Sequence, residues 1–143
     1  MNGFRFRVWL EKTKRMVYPE EEGTSLVMKL DGSIWKFDYF PKKKQYDLFP
    51  LDEPYTILFS TMYQDREGKE IYEGDFVKEV ISGDFYLIQF DPTKGFYGVF
   101  LPTFSVGEFI HSLAQRVVCV GNIKENFEYF LYLVRGEQKN GNE

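Results

Sequence analysis

The stretch that most constrains the fold is Gly68-Lys69-Glu70-Ile71-Tyr72-Glu73-Gly74-Asp75-Phe76-Val77. Glycine serves positions where the backbone needs positive φ or a close approach. Asp65 to Gly68 has turn composition, and Gly74-Asp75 is a second turn signal. The step between them, Glu70 to Glu73, is too short for a free helix and its Ile-Tyr pair suits a strand. Phe76 to Ile81 follows with strand composition and imperfect alternation. A turn, a short step, a turn and a strand form the entrance to a small β-barrel. Gly68, Gly74 and Asp75 are therefore read as structural turn positions, with Gly121-Asn122 as a further turn or bulge. The carboxylates of Glu70, Glu73 and Asp75 are read as solvated turn charges, the ordinary fate of charges on turns.

The rest of the chain is read on the same terms. Phe4, Phe6, Val8 and Leu10 alternate with Arg5, Arg7 and Trp9, which predicts a half-buried strand. Met16-Val17-Tyr18 returns beside it, and Glu20-Glu21-Glu22 is an acidic loop. Asp31-Gly32 between apolar runs predicts a hairpin. Pro41 to Asp47 reads as a basic polar loop, and Pro50 and Pro54 mark a break. Tyr55 to Met62, Phe85 to Phe90 and Phe96 to Leu101 read as strands, with Gly98 as a bulge. The period then changes. Val106, Phe109, Ile110, Leu113, Ala114 and Val117 share one helical face, with Thr103 or Ser105 to cap it. Val117 to Val120 is a buried strand. Asn126 caps a last short helix whose Phe127, Phe130, Leu131 and Val134 lie together. The expected architecture is mainly β, of α+β class. It has an N-terminal β-meander over residues 1–54, a small barrel with two short helices over 55–135, and a polar tail over 136–143.

Aromatic residues are the compositional outlier: 15 Phe, 10 Tyr and 2 Trp in 143 residues. A β-rich core accounts for such a content, so does an interface, where aromatic side chains are enriched, and so, less readily, does a stacking platform for single-stranded nucleic acid. Trp9, Trp35, Tyr39, Phe40 and Tyr97, each beside polar neighbours, are the candidate partner-binding residues. The net charge of −4 lowers the expectation of nucleic-acid binding without forbidding it. The one strongly basic stretch holds Arg5, Arg7, Lys12, Lys14 and Arg15 against Glu11, and these five form the candidate nucleic-acid surface. Lys42-Lys43-Lys44 is a smaller cluster.

The usual reactive constellations are missing. There is no phosphate-binding glycine loop, no nucleotide fingerprint and no nucleophile elbow. One cysteine, Cys119, sits in an apolar run and one histidine, His111, lies off the helical stripe. No intrachain disulfide follows, and no cysteine-based metal site. No catalytic residue, cofactor or metal is expected. Carboxylate chemistry survives as the weakest reading, with Glu70, Glu73 and Asp75 as its candidates and Glu108 next. No apolar run approaches the roughly 18 residues of a membrane span, and a soluble, cytoplasmic protein is expected.

Three blocks of the chain carry a family resemblance. Phe6-Arg7-Val8-Trp9 with Lys14-Arg15-Met16, the central Gly68-to-Val77 stretch, and Val118-Cys119-Val120-Gly121-Asn122-Ile123-Lys124-Glu125-Asn126 resemble, in order and spacing, the signatures of the YopX family. Two details depart from that pattern. Ser60 to Asp65 lacks a glycine usual before the central block, and Phe127-Glu128-Tyr129-Phe130 replaces the usual text after the last Asn. The resemblance implies a phage or prophage origin, a bacterial host cytoplasm and an SH3-like small barrel. It brings no catalytic residues. The functional expectation is a non-enzymatic accessory protein that self-associates or binds another protein, with nucleic-acid binding as the alternative.

Overall fold

Strand β6, Tyr55–Gln64, contains the point at which the chain divides into two units. One unit is Phe6–Ile57; the other begins at Leu58 and includes Arg5. The structure, a computed structural model, describes residues 5–19 and 26–141, with side chains throughout except those of Tyr39 and residues 136–141. Phe4 and the Glu20-Glu21-Glu22 loop lie outside the described residues, as does the side chain of Tyr39.

In the first unit, β1 (Phe6–Leu10) pairs antiparallel with β2 (Arg15–Val17), with Trp9 opposite Met16. The expected half-buried strand is buried on both sides: Arg7 and Trp9 are as enclosed as Phe6 and Val8. Alternating polarity misled here because the Arg7 guanidinium is turned inward and donates to the Tyr18 hydroxyl at 3.3 Å. The Glu11 amide donates to the Pro54 carbonyl, which ties the end of β1 to the start of β6.

A separate three-stranded sheet follows, with the order β3 (Leu26–Met28), β4 (Ile34–Phe40), β5 (Gln45–Pro50). The Asp31-Gly32 turn joins β3 to β4 as expected. Gly32 donates to the Lys29 carbonyl, and the Asp31 carboxylate accepts from the Ser33 hydroxyl and amide. Pro41 to Asp47 is not one loop. The turn covers Pro41 to Lys44, and Gln45 already pairs with Phe40 in β5. Proline at the end of an edge strand is tolerated because its missing N–H need not join a ladder.

The second unit carries a five-stranded antiparallel sheet. Its order is β11 (Ser105–Phe109), β10 (Gly95–Leu101), β9 (Phe85–Asp91), β8 (Asp75–Glu79), β12 (Val117–Asn122). Beside it, the later part of β6 pairs with β7 (Glu70–Tyr72). In this order β11 and β12 stand at the two ends, so the sheet is an open one by its pairings. The chain is thus a mainly antiparallel β structure of several sheets with few helices.

Both faces of the large sheet are covered, which explains the imperfect alternation of its strands. Val77, Tyr86 and Ile88 pack on one side with Ile110, Leu113 and Ala114. Phe76, Leu87, Val99 and Leu101 pack on the other with Tyr129, Phe130, Leu133 and Val134. The last four come from α2 (Phe127–Gly141), which extends well into the expected polar tail. Phe76 is fully buried and stacks on Phe130 with centroids 5.7 Å apart.

The expected helix over Val106 to Val117 is only half present. Ser105–Phe109 is strand β11, α1 is Ile110–Leu113, and a 3-10 turn covers Ala114–Arg116. Val106 and Phe109 are exposed, while Ile110, Leu113, Ala114 and Val117 are buried. The apolar spacing was real, but its first two members pair with β10 instead of continuing the stripe. Phe109 precedes α1 with no side-chain cap; Thr103 and Ser105 hydrogen-bond to each other instead. Gly98 does mark a bulge, since the β10–β11 register shifts there. A Cβ at Gly98 would stand 2.8 Å from Leu113 Cδ2 and 3.1 Å from Tyr86 Cβ, so its side is taken by the core.

Candidate functional site

The central turns are built by Asp65 and Asp75, two buried carboxylates that organise backbone, so Asp75 is not the solvated charge expected of a turn carboxylate. Asp65 Oδ1 accepts from the amides of Glu67 at 2.8 Å and Lys69 at 2.9 Å. Its Oδ2 accepts from the Cys119 amide at 2.8 Å, fifty-four residues on. Burial works against the charged form of Asp65, but these amide donors outweigh it and hold the carboxyl below its usual range. Asp75 accepts from the Tyr72 amide at 2.8 Å. Gly74 has φ +89°, donates to the Ile88 carbonyl and accepts from the Ile123 amide. Gly68 also has positive φ and donates to the Asp65 carbonyl.

The C-terminal turn is held in the same manner. Asn122 Oδ1 accepts from the Lys124 and Glu125 amides. Asn126 Oδ1 reaches back to the Asn122 amide at 3.0 Å, instead of capping α2 forward. Gly121 leaves room for that side chain: a Cβ there would lie 2.8 Å from Asn126 Oδ1. The central and C-terminal blocks that carry the family resemblance are thus used for turn construction. Asp65 was not singled out from the sequence. The only signal was an aspartate at the start of a turn ending in glycine, and its bond to Cys119 has no local trace.

The acidic residues Glu70, Glu73 and Asp75 do not converge. Glu70 pairs with Arg5 at 3.2 Å, Glu73 accepts from the Phe59 amide at 3.4 Å, and Asp75 serves the turn. Of the three, only Glu73 lines the cavity of about 200 Å³ beside Leu58, Gly74, Leu87 and Ile123. Glu108 is paired with Arg116, which also binds Glu79 at 3.0 Å. Among the described residues, no group of three or more His, Cys, Asp and Glu side chains is placed to hold a metal ion. Burial and the nearby charges of Asp75 and Asp65 push the Cys119 thiol far above its usual range. His111 stacks on Phe109 and lines a shallow hollow with Lys94, Phe96 and Ile110.

The five basic candidates are divided by the fold. Arg7 is buried and Arg5 is engaged with Glu70. Lys12 and Lys14 on the β1–β2 turn and Arg15 at the start of β2 are exposed. Trp9, a candidate partner-binding residue, is buried.

The other aromatic candidates also separate. Tyr97 packs in the core with Phe76 and Val99. Trp35 and Phe40 lie half-buried on β4. The Lys29 ammonium sits 3.4 Å from the Trp35 ring centre, and the Trp35 indole N–H donates to Ser33. Phe40 meets Phe49 edge-on at 6.5 Å, and Phe37 meets Tyr46 at 5.5 Å. The strand that sequence reasoning missed supplies the most exposed apolar side chains of this sheet. Tyr46 is 63%, Leu48 52% and Phe49 43% accessible. A short alternation in Gln-Tyr-Asp-Leu-Phe-Pro was the available signal, hidden between three lysines and two prolines.

Comparison with known proteins bears on this arrangement in three ways. The family model described as "YopX protein" matches residues 5–130. Among solved structures, the chain is similar to protein yopX from Bacillus subtilis. The TM-score is 0.58 and the identity 20%, covering 90% of this chain and 98% of that one. It is also similar to protein EF1440 from Enterococcus faecalis, with TM-score 0.57 and 21% identity, covering 90% and 99% of the two chains. No curated protein matches.

Proposed function

Taking as premise that the chain belongs to the YopX family, we propose that it is a non-enzymatic, phage- or prophage-derived accessory protein that acts by self-association in the host cytoplasm. The observation that carries this is β5. It is the end strand of its sheet, and five of its six residues are exposed, three of them large and apolar. Such an edge is a pairing template unless something covers it. The second unit supports a scaffold reading. Its sheet brings the last strand, β12, beside the first, β8, through a 3-10 turn, an arrangement suited to a small SH3-like barrel. Its buried carboxylates are committed to backbone, which leaves them poorly placed for acid–base work. Among the described residues no helix is long and apolar enough to cross a membrane.

The test is sedimentation velocity of the purified protein across a hundredfold concentration range, to about 100 μM. Self-association is expected to appear as a concentration-dependent shift to a dimer or larger species. A monomer throughout that range refutes the proposal.

A further inference from the structure

The β5 edge also says how two copies would meet. We propose that β5 pairs antiparallel with β5 of a second copy of this chain, about a two-fold axis at Leu48. This rests on the self-association reading above and specifies its surface.

The backbone sets the first constraint. The Leu51 amide donates to the Ile34 carbonyl, so residues of its parity, 45, 47 and 49, turn their amides and carbonyls toward β4. Positions 46 and 48 turn both away, and Pro50, which has no N–H, turns only its carbonyl away. Antiparallel pairing joins groups facing each other across the gap, so the outward set of one copy must oppose the outward set of the other. Only registers that pair even positions with even positions satisfy this.

Charge chooses among those registers. Before β5 stand Lys42, Lys43 and Lys44; after it stand Asp52 and Glu53. A strand basic at one end and acidic at the other complements itself when antiparallel, and repels itself when parallel. Centring on Leu48 sets Lys44 opposite Asp52, and Lys43, already engaged with Asp47 of its own strand, opposite Glu53. Centring on Asp47 sets Lys44 opposite Pro50 and puts two aspartates face to face. Centring on Phe49 sets Lys44 opposite Pro54. Lys44 and Asp52 are both exposed, so their charges are available at the edge. With the axis at Leu48, each Leu48 amide meets the other copy's Leu48 carbonyl.

The apolar face agrees with this arrangement. Pro50 pairs with Trp35 and Leu48 with Phe37, which places these four on one side of the sheet. A two-fold axis normal to the sheet keeps that side on the same face in both copies. The two half-exposed aromatic surfaces then join across a six-stranded sheet. Lysines and a terminal proline also serve to blunt unpaired edges. Here the lysines sit in the turn, and the one charge within the strand, Asp47, is engaged with Lys43 at 3.7 Å and Gln45 at 2.9 Å.

The test uses the full chain and two charge reversals, Lys44→Glu and Asp52→Lys. Each alone sets like charges together twice across the axis, and association is expected to weaken on the order of tenfold. An equimolar mixture restores opposite charges at both places and is expected to associate as the parent does. That recovery excludes misfolding as the cause of the loss. In parallel, Leu48→Cys treated with a short bis-maleimide is expected to give covalent dimers, while Lys12→Cys does not. If the parent self-associates but both charge variants match it and residue 48 does not cross-link, this surface is wrong and self-association stands. A monomeric parent overturns both.

Discussion

Replacing Asp65 with Asn is expected to destabilise the Leu58-to-Gly141 unit by about 3 kcal/mol at pH 7. Three amides converge on this carboxylate at 2.8 to 2.9 Å. Asn keeps one acceptor oxygen. If that oxygen serves Glu67 and Lys69, an amide N–H₂ is aimed at the Cys119 N–H, and a buried donor is left unsatisfied at about 1–3 kcal/mol. The two surviving bonds change from charged to neutral acceptors, which costs roughly 1 kcal/mol each. Asn is easier to bury than a carboxylate, which returns part of this. The assay is urea unfolding of both proteins by far-ultraviolet circular dichroism from pH 7 down to about pH 2. Because the folded-state carboxyl titrates below its unfolded value of about 3.9, its stabilisation is complete above that value. It is lost as pH falls through the lower folded value. The gap between the two proteins should therefore hold from pH 7 to about 4 and narrow below. A loss under about 1 kcal/mol at pH 7, or a gap of unchanged size at the lowest pH, would refute the reasoning.

Three other outcomes follow from the same packing. Gly98→Ala should cost about 1–3 kcal/mol by overpacking against Leu113 and Tyr86. Combined with Leu113→Ala, the total loss should be less than the sum, read by urea midpoints. Phe76→Ala should cost about 3–5 kcal/mol, because the ring is fully enclosed and touches Tyr129 and Phe130. Cys119 should react with iodoacetamide at pH 8 on the order of a hundredfold more slowly in the native protein than in denaturant, since burial and two neighbouring carboxylates oppose its thiolate; mass spectrometry of timed aliquots reads this.

Some elements were legible because their cause is local. Asp31-Gly32, Gly68 and Gly74 announce turns through backbone freedom that few other residues possess, and each has positive φ. The strand from Phe85 and the bulge at Gly98 were legible for similar reasons. The helix over Val106 to Val117 was misjudged at its start because an i, i+3, i+4 pattern also arises where an exposed strand residue precedes a short buried helix. The candidate surface was the least legible part. Trp9 and Tyr97 carried the aromatic signal but are spent in packing, whereas Leu48 and Phe49 lie between the Pro41-to-Asp47 stretch that read as loop and the break at Pro50, where no element was legible.

By itself the sequence determined where the chain turns, that strands dominate, and which family it belongs with, because glycine geometry and short-range patterning act within a few residues. Tertiary structure alone decided which side of each strand is buried, that Arg7 and Trp9 face inward, and that Asp65 reaches Cys119. It also decided that β5 is left at an edge. Those outcomes depend on which distant segment arrives to cover a face or satisfy a donor, and no local pattern encodes that partner.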